Sequence, residues 1–129
     1  MIVVDAAAVV DALTGLSDAD ELRARLAAGE LHAPALLDYE VVSSLRGLTR
    51  GKHLSAARAE DLLTDFEDLS LRRWPFADEL RRRAFQLRDN LSAYDAAYVA
   101  LAEVLDCPLI TRDARLSRSS GHDAQIKVC

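Results

Sequence analysis

The sequence lacks the features that mark membrane-spanning, disulfide-rich and zinc-binding proteins. No apolar run approaches the roughly 20 residues that a transmembrane helix needs. The start, Met-Ile-Val-Val-Asp, has neither the basic flank nor the cleavage site of a signal peptide. The two cysteines, Cys107 and Cys129, fit no metal-binding or thioredoxin spacing. We therefore expect a cytosolic protein with reduced thiols.

Glycine, histidine and positive charge are also scarce. None of the five glycines belongs to a phosphate-cradling loop. The three histidines, which we expect at the surface, show no ligand spacing: His32, His53 and His122. A net charge of −5 argues against a protein that coats nucleic acid, because such binding needs many basic contacts to phosphate. Basic charge collects after Ser70, mostly as arginine, which suits phosphate contact, although a solvated helix face also explains Arg81 to Arg83.

Short apolar runs alternate with helical patterns along the chain. The 129 residues, of which 50% are apolar, suit one globular domain spanning residues 1–129. Strands are predicted at residues 2–4, 31–33, 69–74, 109–111 and 126–129, with helices between them. This alternation predicts an α/β fold, a three-layer α/β/α sandwich around a mainly parallel central sheet.

Isolated acids stand at the edges of the predicted elements. Asp5 closes the first apolar run, and Asp113 follows a later one. Glu40 lies on a helix among apolar and small residues, and Asp95 lies in the first turn of a helix that is apolar on all sides. Because the carboxyl ends of parallel strands face one crevice, we expect these acids to share it. Carboxylates gathered there repel one another unless a cation neutralises them, which indicates a hard divalent ion.

Each of these acids also has a structural interpretation. Asp5 could cap the helix that follows it, and Asp95 could form a capping box with Ser92. Glu40 could be a boundary glutamate that pairs with an arginine of its own helix. A shared crevice favours a functional site, since capping does not explain why Asp5 follows an apolar strand at the edge where such sheets bind ligands.

Four sequence motifs contain these acids. They are Ile-Val-Val-Asp-Ala at 2–6, Leu-Leu-Asp-Tyr-Glu-Val-Val-Ser-Ser-Leu at 36–45, Leu-Ser-Ala-Tyr-Asp-Ala-Ala-Tyr-Val-Ala-Leu-Ala-Glu at 91–103 and Leu-Ile-Thr-Arg-Asp-Ala-Arg-Leu at 109–116. In this order and at these separations they resemble the PIN-domain ribonucleases of the VapC toxin type, over the whole chain. One position departs from the family pattern, which commonly has Ser or Thr where this chain has Ala7.

The resemblance implies a metal-dependent endoribonuclease that is the toxin of a type II toxin–antitoxin system. It implies one acidic pocket that holds Mg²⁺, or Mn²⁺ in its place, lined by Asp5, Glu40, Asp95 and Asp113. Magnesium keeps several waters, so Asp5 and Asp95 are expected as inner ligands. Asp113 and Glu40 are expected to bind the ion through water, to orient that water, or to take a second ion.

The resemblance also implies partners and supporting residues. Thr111 is expected to hold Asp113 in place, and Arg112 and Arg115 are expected to contact RNA. A small cognate antitoxin is expected to block the pocket, and the protein is expected to be a homodimer.

Two alternatives remain from the sequence. A catalytically inactive metal-binding or antitoxin-binding module is one, and Ala7 is the only residue that supports it. A phosphatase with Asp5 as its nucleophile is weaker, because such an enzyme usually has a second acid at the position of Ala7.

Overall fold

The protein is built on a five-stranded parallel sheet, which the computed structural model describes together with all other residues from 1 to 129. The strands are Ile2–Val4 (β1), Leu31–Pro34 (β2), Leu71–Trp74 (β3), Leu109–Thr111 (β4) and Ile126–Val128 (β5). The helices are Ala6–Thr14 (α1), Asp20–Ala28 (α2), Leu36–Arg50 (α3), Ala56–Glu67 (α4), Asp78–Gln86 (α5), Ala93–Leu105 (α6) and Ala114–Ser117 (α7). None of these helices has the length and apolar character that a membrane span requires.

The strand order reverses between β1 and β4. The order across the sheet is β3-β2-β1-β4-β5, and all neighbouring strands are parallel. The chain adds β2 and then β3 on one side of β1. It then returns to form β4 on the other side of β1, where Val4 pairs with Ile110. At such a reversal the connections leave in opposite directions and open a crevice at the carboxyl ends of the strands. Asp5 follows β1 directly at this point.

Helices cover the sheet as the sequence predicted. One group is formed by α1, which packs against α2, α3 and α4. On the other side, α5 packs against α6, and α6 lies against β1, β2 and β4. Every residue of α6 from Ala96 to Ala102 is buried, and the small alanine side chains let this helix approach the sheet closely. The prediction of an α/β sandwich with a parallel sheet is confirmed.

The prediction that all histidines lie at the surface is wrong for His32. This residue is 1% exposed in β2, and His122 is half-buried, whereas His53 is exposed. His32 Nδ1 accepts a hydrogen bond of 3.0 Å from Nε1 of Trp74 on the neighbouring strand. An indole nitrogen can only donate, so the proton of neutral His32 must sit on Nε2, which lies 2.9 Å from a carboxylate oxygen of Glu30. Both ring nitrogens are therefore satisfied, which makes burial of the ring tolerable.

Candidate active site

Hydrogen bonds connect the ends of β1 and β4 through Thr111. The Thr111 side chain is buried, and its hydroxyl donates a hydrogen bond to Oδ2 of Asp5. The hydroxyl oxygen of Thr111 also accepts a hydrogen bond of 3.0 Å from the backbone N–H of Asp113. The other oxygen of Asp5 accepts from the backbone N–H of Ala8 at 2.9 Å and so caps α1. Asp5 therefore caps a helix and also stands in the crevice, so the two interpretations of this residue are compatible.

The surroundings of Asp5 disfavour the ionised form of its carboxyl group. Burial raises the pKa of Asp5 above its ordinary value of 3.8, because the carboxylate loses contact with water. The hydrogen bonds from Thr111 and Ala8 lower this pKa, whereas repulsion from Asp95 and Glu40 raises it further. Repulsion of this kind falls off with distance. The structure therefore brings carboxylates from the β1 end, α3 and α6 within electrostatic reach of one another.

Tyr98 holds Glu40 in this cluster. Its hydroxyl donates a hydrogen bond of 2.6 Å to Oε1 of Glu40 across the gap between α6 and α3. Burial first, and then this hydrogen bond, raise the pKa of Tyr98 far above its ordinary value, so the hydroxyl remains a donor at all physiological pH values. Glu40 forms no ion pair with an arginine of its own helix, and Tyr98 is its hydrogen-bond partner instead. Sequence analysis did not assign Tyr98 to the site, although it lies three residues after Asp95 on one face of the helix.

Asp95 lines a small cavity. Ser92 caps α6 by accepting from the backbone N–H of Asp95 at 3.1 Å, but the reciprocal bond of a capping box, from the Ser92 amide to the carboxylate, is not formed. Asp95 and Asp113 line the same cavity of about 250 Å³, which Arg115 also borders. The carboxylate of Asp95 accepts no hydrogen bond from protein and is available to a ligand.

Asp113 is already paired with a cation. Its Oδ2 lies 2.9 Å from Nη2 of Arg115, and its Oδ1 accepts from Nε of the same side chain at 3.1 Å. These bonds lower the pKa of Asp113. The Arg115 side chain is 83% exposed, and exposed ion pairs contribute little to stability. Arg115 can therefore leave Asp113 for another anion at small cost.

Arg112 faces the other way. Its Nε donates to Asp11 at 2.8 Å, its Nη1 donates to the carbonyl of Cys129 at 2.8 Å, and its Nη2 donates to Ser17 and to the carbonyl of Asp18. These bonds fasten the C-terminus to the end of α1 and the loop after it. An RNA contact by Arg112 would have to break them. Of the two arginines predicted to contact RNA, Arg115 is the better placed.

The chemistry of the donor set fits a hydrated, hard divalent ion. The side chains that meet in the crevice offer carboxylate oxygens, which suit magnesium or manganese better than zinc. No group of three acidic, histidine or cysteine side chains lies close enough together to hold a metal ion. Magnesium does not need such a group, because it keeps several waters and takes only one or two carboxylates. Asp5 and Asp95 remain the proposed pair, because the carboxylate of Asp95 accepts no hydrogen bond from protein, whereas Glu40 is bound by Tyr98.

Comparison with known proteins identifies the family. The PIN-domain family matches residues 2–121. The chain is 44% identical over 128 residues to VapC ribonuclease Mb0985 of Mycobacterium bovis, covering 99% of this chain and 98% of that protein. This chain is a VapC-type PIN-domain protein. The resemblance found in the sequence motifs is confirmed.

Solved structures show the VapC fold for the whole chain. VapBC2 of Rickettsia felis, bound to a promoter DNA fragment, superposes with a TM-score of 0.70 at 14% identity, covering 99% of this chain and 98% of that one. VapBC-5 of Mycobacterium tuberculosis, from the VapBC family of toxin–antitoxin systems, superposes with a TM-score of 0.61 at 18% identity, covering 98% and 94%. At such identities the likeness concerns the fold alone, and it agrees with the predicted order of strands and helices.

The raised pKa of Asp5 predicts that the stability of this VapC protein depends on pH. A carboxyl group with a higher pKa in the folded state stabilises the fold fully below its unfolded pKa of about 3.8 and loses that contribution as the pH rises through the folded-state pKa. Asn cannot ionise, so Asp5→Asn should gain stability relative to wild type as the pH rises. Urea unfolding of both proteins without divalent ions, from about pH 4 to about pH 8, measures this.

The comparison of the two proteins isolates Asp5. Asp113 and Glu103 have lowered pKa values and lose stability in the opposite direction, as the pH falls, but both proteins contain them. Their contributions therefore cancel in the difference. A stability difference between the two proteins that stays constant over the whole pH range would show that folding does not raise the pKa of Asp5.

Proposed function

We propose that this protein is a metal-dependent endoribonuclease, the toxin of a type II toxin–antitoxin system, which hydrolyses phosphodiester bonds of RNA. The observation that carries this proposal is that Asp5 lies within electrostatic reach of Glu40 and Asp95 and is joined to Asp113 through Thr111. The name of the 44% identical relative, a ribonuclease, supports RNA as the substrate. The same relationship disfavours the inactive module. Ala7 is exposed, and Asp5 already receives a hydroxyl from Thr111.

The residues of the crevice divide the work of hydrolysis. Mg²⁺ or Mn²⁺, when bound, would supply an activated water and stabilise negative charge on the phosphodiester. Asp5 and Asp95 would hold this ion, and Thr111 fixes the orientation of Asp5 by a hydrogen bond. Glu40, oriented by Tyr98, directs the attacking water or takes its proton. Arg115 can exchange Asp113 for an RNA phosphate, which would leave the carboxylate of Asp113 without its cation and able to join Asp5 and Asp95 as a metal ligand.

We further propose a small antitoxin protein as the partner that controls this activity. An apolar groove of about 270 Å³ lies between α3 and α4, lined by Val42, Leu45 and Leu63 among others. The outer face of α4 beside it is acidic and exposed: Glu60, Asp61, Asp65, Glu67 and Asp68. A peptide with apolar and basic side chains fits this surface, and one of its basic groups would neutralise the carboxylates of the crevice. The family resemblance supports, in addition, a homodimer in the cytosol.

Expression in a bacterial host tests this function. Induction of the chain alone should arrest growth and create new RNA ends, which sequencing of cellular RNA locates. Co-expression of the small open reading frame encoded beside it should restore growth and yield a complex that co-purifies. The double variant Asp5→Asn, Asp95→Asn should be harmless. Normal growth with no new RNA ends, at high levels of folded protein, would contradict the proposal.

A further inference from the structure

A second cavity, lined by aromatic and arginine side chains, adjoins the acidic crevice. It has a volume of about 480 Å³, and we call it the α5 cavity; its walls include Phe76, Arg81, Phe85, Arg88, Leu91 and Ser92. Leu91 and Ser92 also line the cavity that contains Asp95 and Asp113. The two cavities are therefore neighbours at the start of α6.

The aromatic rings of the α5 cavity are not required for packing. Leu80 and Ala84 of α5 are buried and supply its contact with the core. Phe85 is 56% exposed and Phe76 is 41% exposed, although both are large apolar side chains. Exposed aromatic side chains beside a proposed active site are the groups on which unpaired nucleobases stack.

A positive charge accompanies these rings. The Arg88 guanidinium lies 4.6 Å from the centre of the Phe85 ring, and Nη1 donates to the Phe85 carbonyl at 3.2 Å. Arg88 forms no ion pair with a carboxylate, whereas Arg81 is held by Asp78 and by the carbonyl of Phe76. Arg88 is therefore free to meet an anion. In a protein with a net charge of −5, arginines at this place provide a local match for a polyanion.

We propose that the α5 cavity binds an unpaired base of the RNA substrate, stacked against Phe85 next to the scissile phosphate, while Arg88 contacts a backbone phosphate. This inference rests on the proposed ribonuclease function and adds a substrate class to it. Stacking is available to every base, so the cavity demands an unpaired nucleotide rather than one particular base. An RNA that is fully paired around the cleavage point cannot use it.

Removal of the ring and removal of the base should have the same effect. The two proteins compared are Asp95→Asn and the double variant Asp95→Asn, Phe85→Ala, which should not cleave the RNA during the measurement. The affinity of each is measured for a single-stranded RNA and for a set of copies, each with an abasic ribose at one nucleotide beside the mapped cleavage site. Phe85→Ala should weaken binding of the intact RNA by about 5-fold or more. The RNA that lacks the base stacked on Phe85 should bind both proteins equally weakly, because removal of the base and removal of the ring abolish the same stacking interaction. Phe85→Trp should retain tight binding, and Val104→Ala, an exposed apolar residue elsewhere, should behave as wild type.

The phosphate contact has a separate signature. Arg88→Ala should reduce the slope of the logarithm of RNA affinity against the logarithm of salt concentration by about one unit, and Arg88→Lys should retain it. An unchanged slope would overturn the assignment of Arg88. Equal weakening by Phe85→Ala for intact and all abasic RNAs would overturn base stacking. Conversion of a dimer to a monomer by Phe85→Ala, with RNA binding intact, would assign the cavity to a second copy of the chain and overturn the proposal.

Failure of the cavity and failure of the function are distinguishable. If the wild-type protein cleaves RNA but Phe85→Ala binds every RNA as tightly as the protein with Phe85, only the proposal for the α5 cavity is overturned. A wild-type protein that cleaves no RNA would overturn the ribonuclease function, and the cavity proposal with it.

Discussion

Asp95→Asn should lower the rate of RNA cleavage by at least about 100-fold. Removal of a residue that only orients a metal ligand costs up to about 100-fold, and loss of a ligand itself should cost no less. The carboxylate of Asp95 lies in the cavity beside Asp113 and makes no hydrogen bond within the protein, so its charge serves the ligand rather than the fold. Asn keeps its shape and its backbone bond to Ser92. RNA affinity should stay similar or rise, because a negative charge near the phosphates is removed. Single-turnover cleavage and equilibrium binding, measured on one RNA, separate the two effects.

The matched control for Asp95→Asn is Asp61→Asn. Asp61 is exposed on α4 and forms no ion pair, so the substitution removes the same charge away from the crevice. It should leave cleavage at the wild-type rate. Undiminished cleavage by purified Asp95→Asn would show that another set of residues, or a contaminating nuclease, carries the activity.

Thr111→Val should lower cleavage by about 10- to 100-fold, the loss typical of residues that orient a metal ligand. Valine fills the same buried space but removes the hydroxyl that donates to Asp5 and leaves the backbone N–H of Asp113 without its acceptor. The hydrogen bond from Thr111 lowers the pKa of Asp5, so its loss should raise that pKa. The acid limb of the pH–rate profile should therefore move to higher pH, which a purely structural effect would not produce.

Thr111→Ser separates the hydroxyl from the methyl group of the same side chain. Serine retains the donor and acceptor oxygen, so cleavage and the position of the acid limb should remain close to wild type. Equal losses for Ser and Val would mean that packing of the methyl group, and not the bond to Asp5, explains the effect. The pH–rate profiles of all three proteins, measured under single-turnover conditions, decide between these outcomes.

The places of Asp5 and Asp113 could be predicted because two rules act on local sequence. An apolar run followed by an acid and a helical pattern marks the end of a strand, and parallel strands in such a fold end at one edge. The four motifs also carried enough specificity, taken together, to identify the PIN-domain family. The topology that joins Asp5 to the end of β4 then follows from the order of the elements.

Contacts that depend on packing between elements could not be predicted. The bond from Tyr98 to Glu40 requires the relative placement of α6 and α3, and the burial of His32 requires Trp74 on the adjacent strand. Arg112 and Arg115 are close in sequence and of the same type, yet one is fastened to the C-terminus and the other is exposed at the cavity. Nothing in the local sequence distinguishes two arginines, because the direction of each is set by the end of β4 and the turn into α7.

Titration with Mn²⁺, with binding followed by electron paramagnetic resonance and RNA cleavage measured on the same samples, tests most directly whether the crevice is the catalytic centre. Metal binding and cleavage should rise over the same range of Mn²⁺ concentration in the wild type. Both should be lost in the double variant Asp5→Asn, Asp95→Asn, while Asp61→Asn retains both. Cleavage that persists in a chelator, or Mn²⁺ binding that is unchanged in the double variant, would contradict the assignment of these carboxylates to a metal-dependent ribonuclease site.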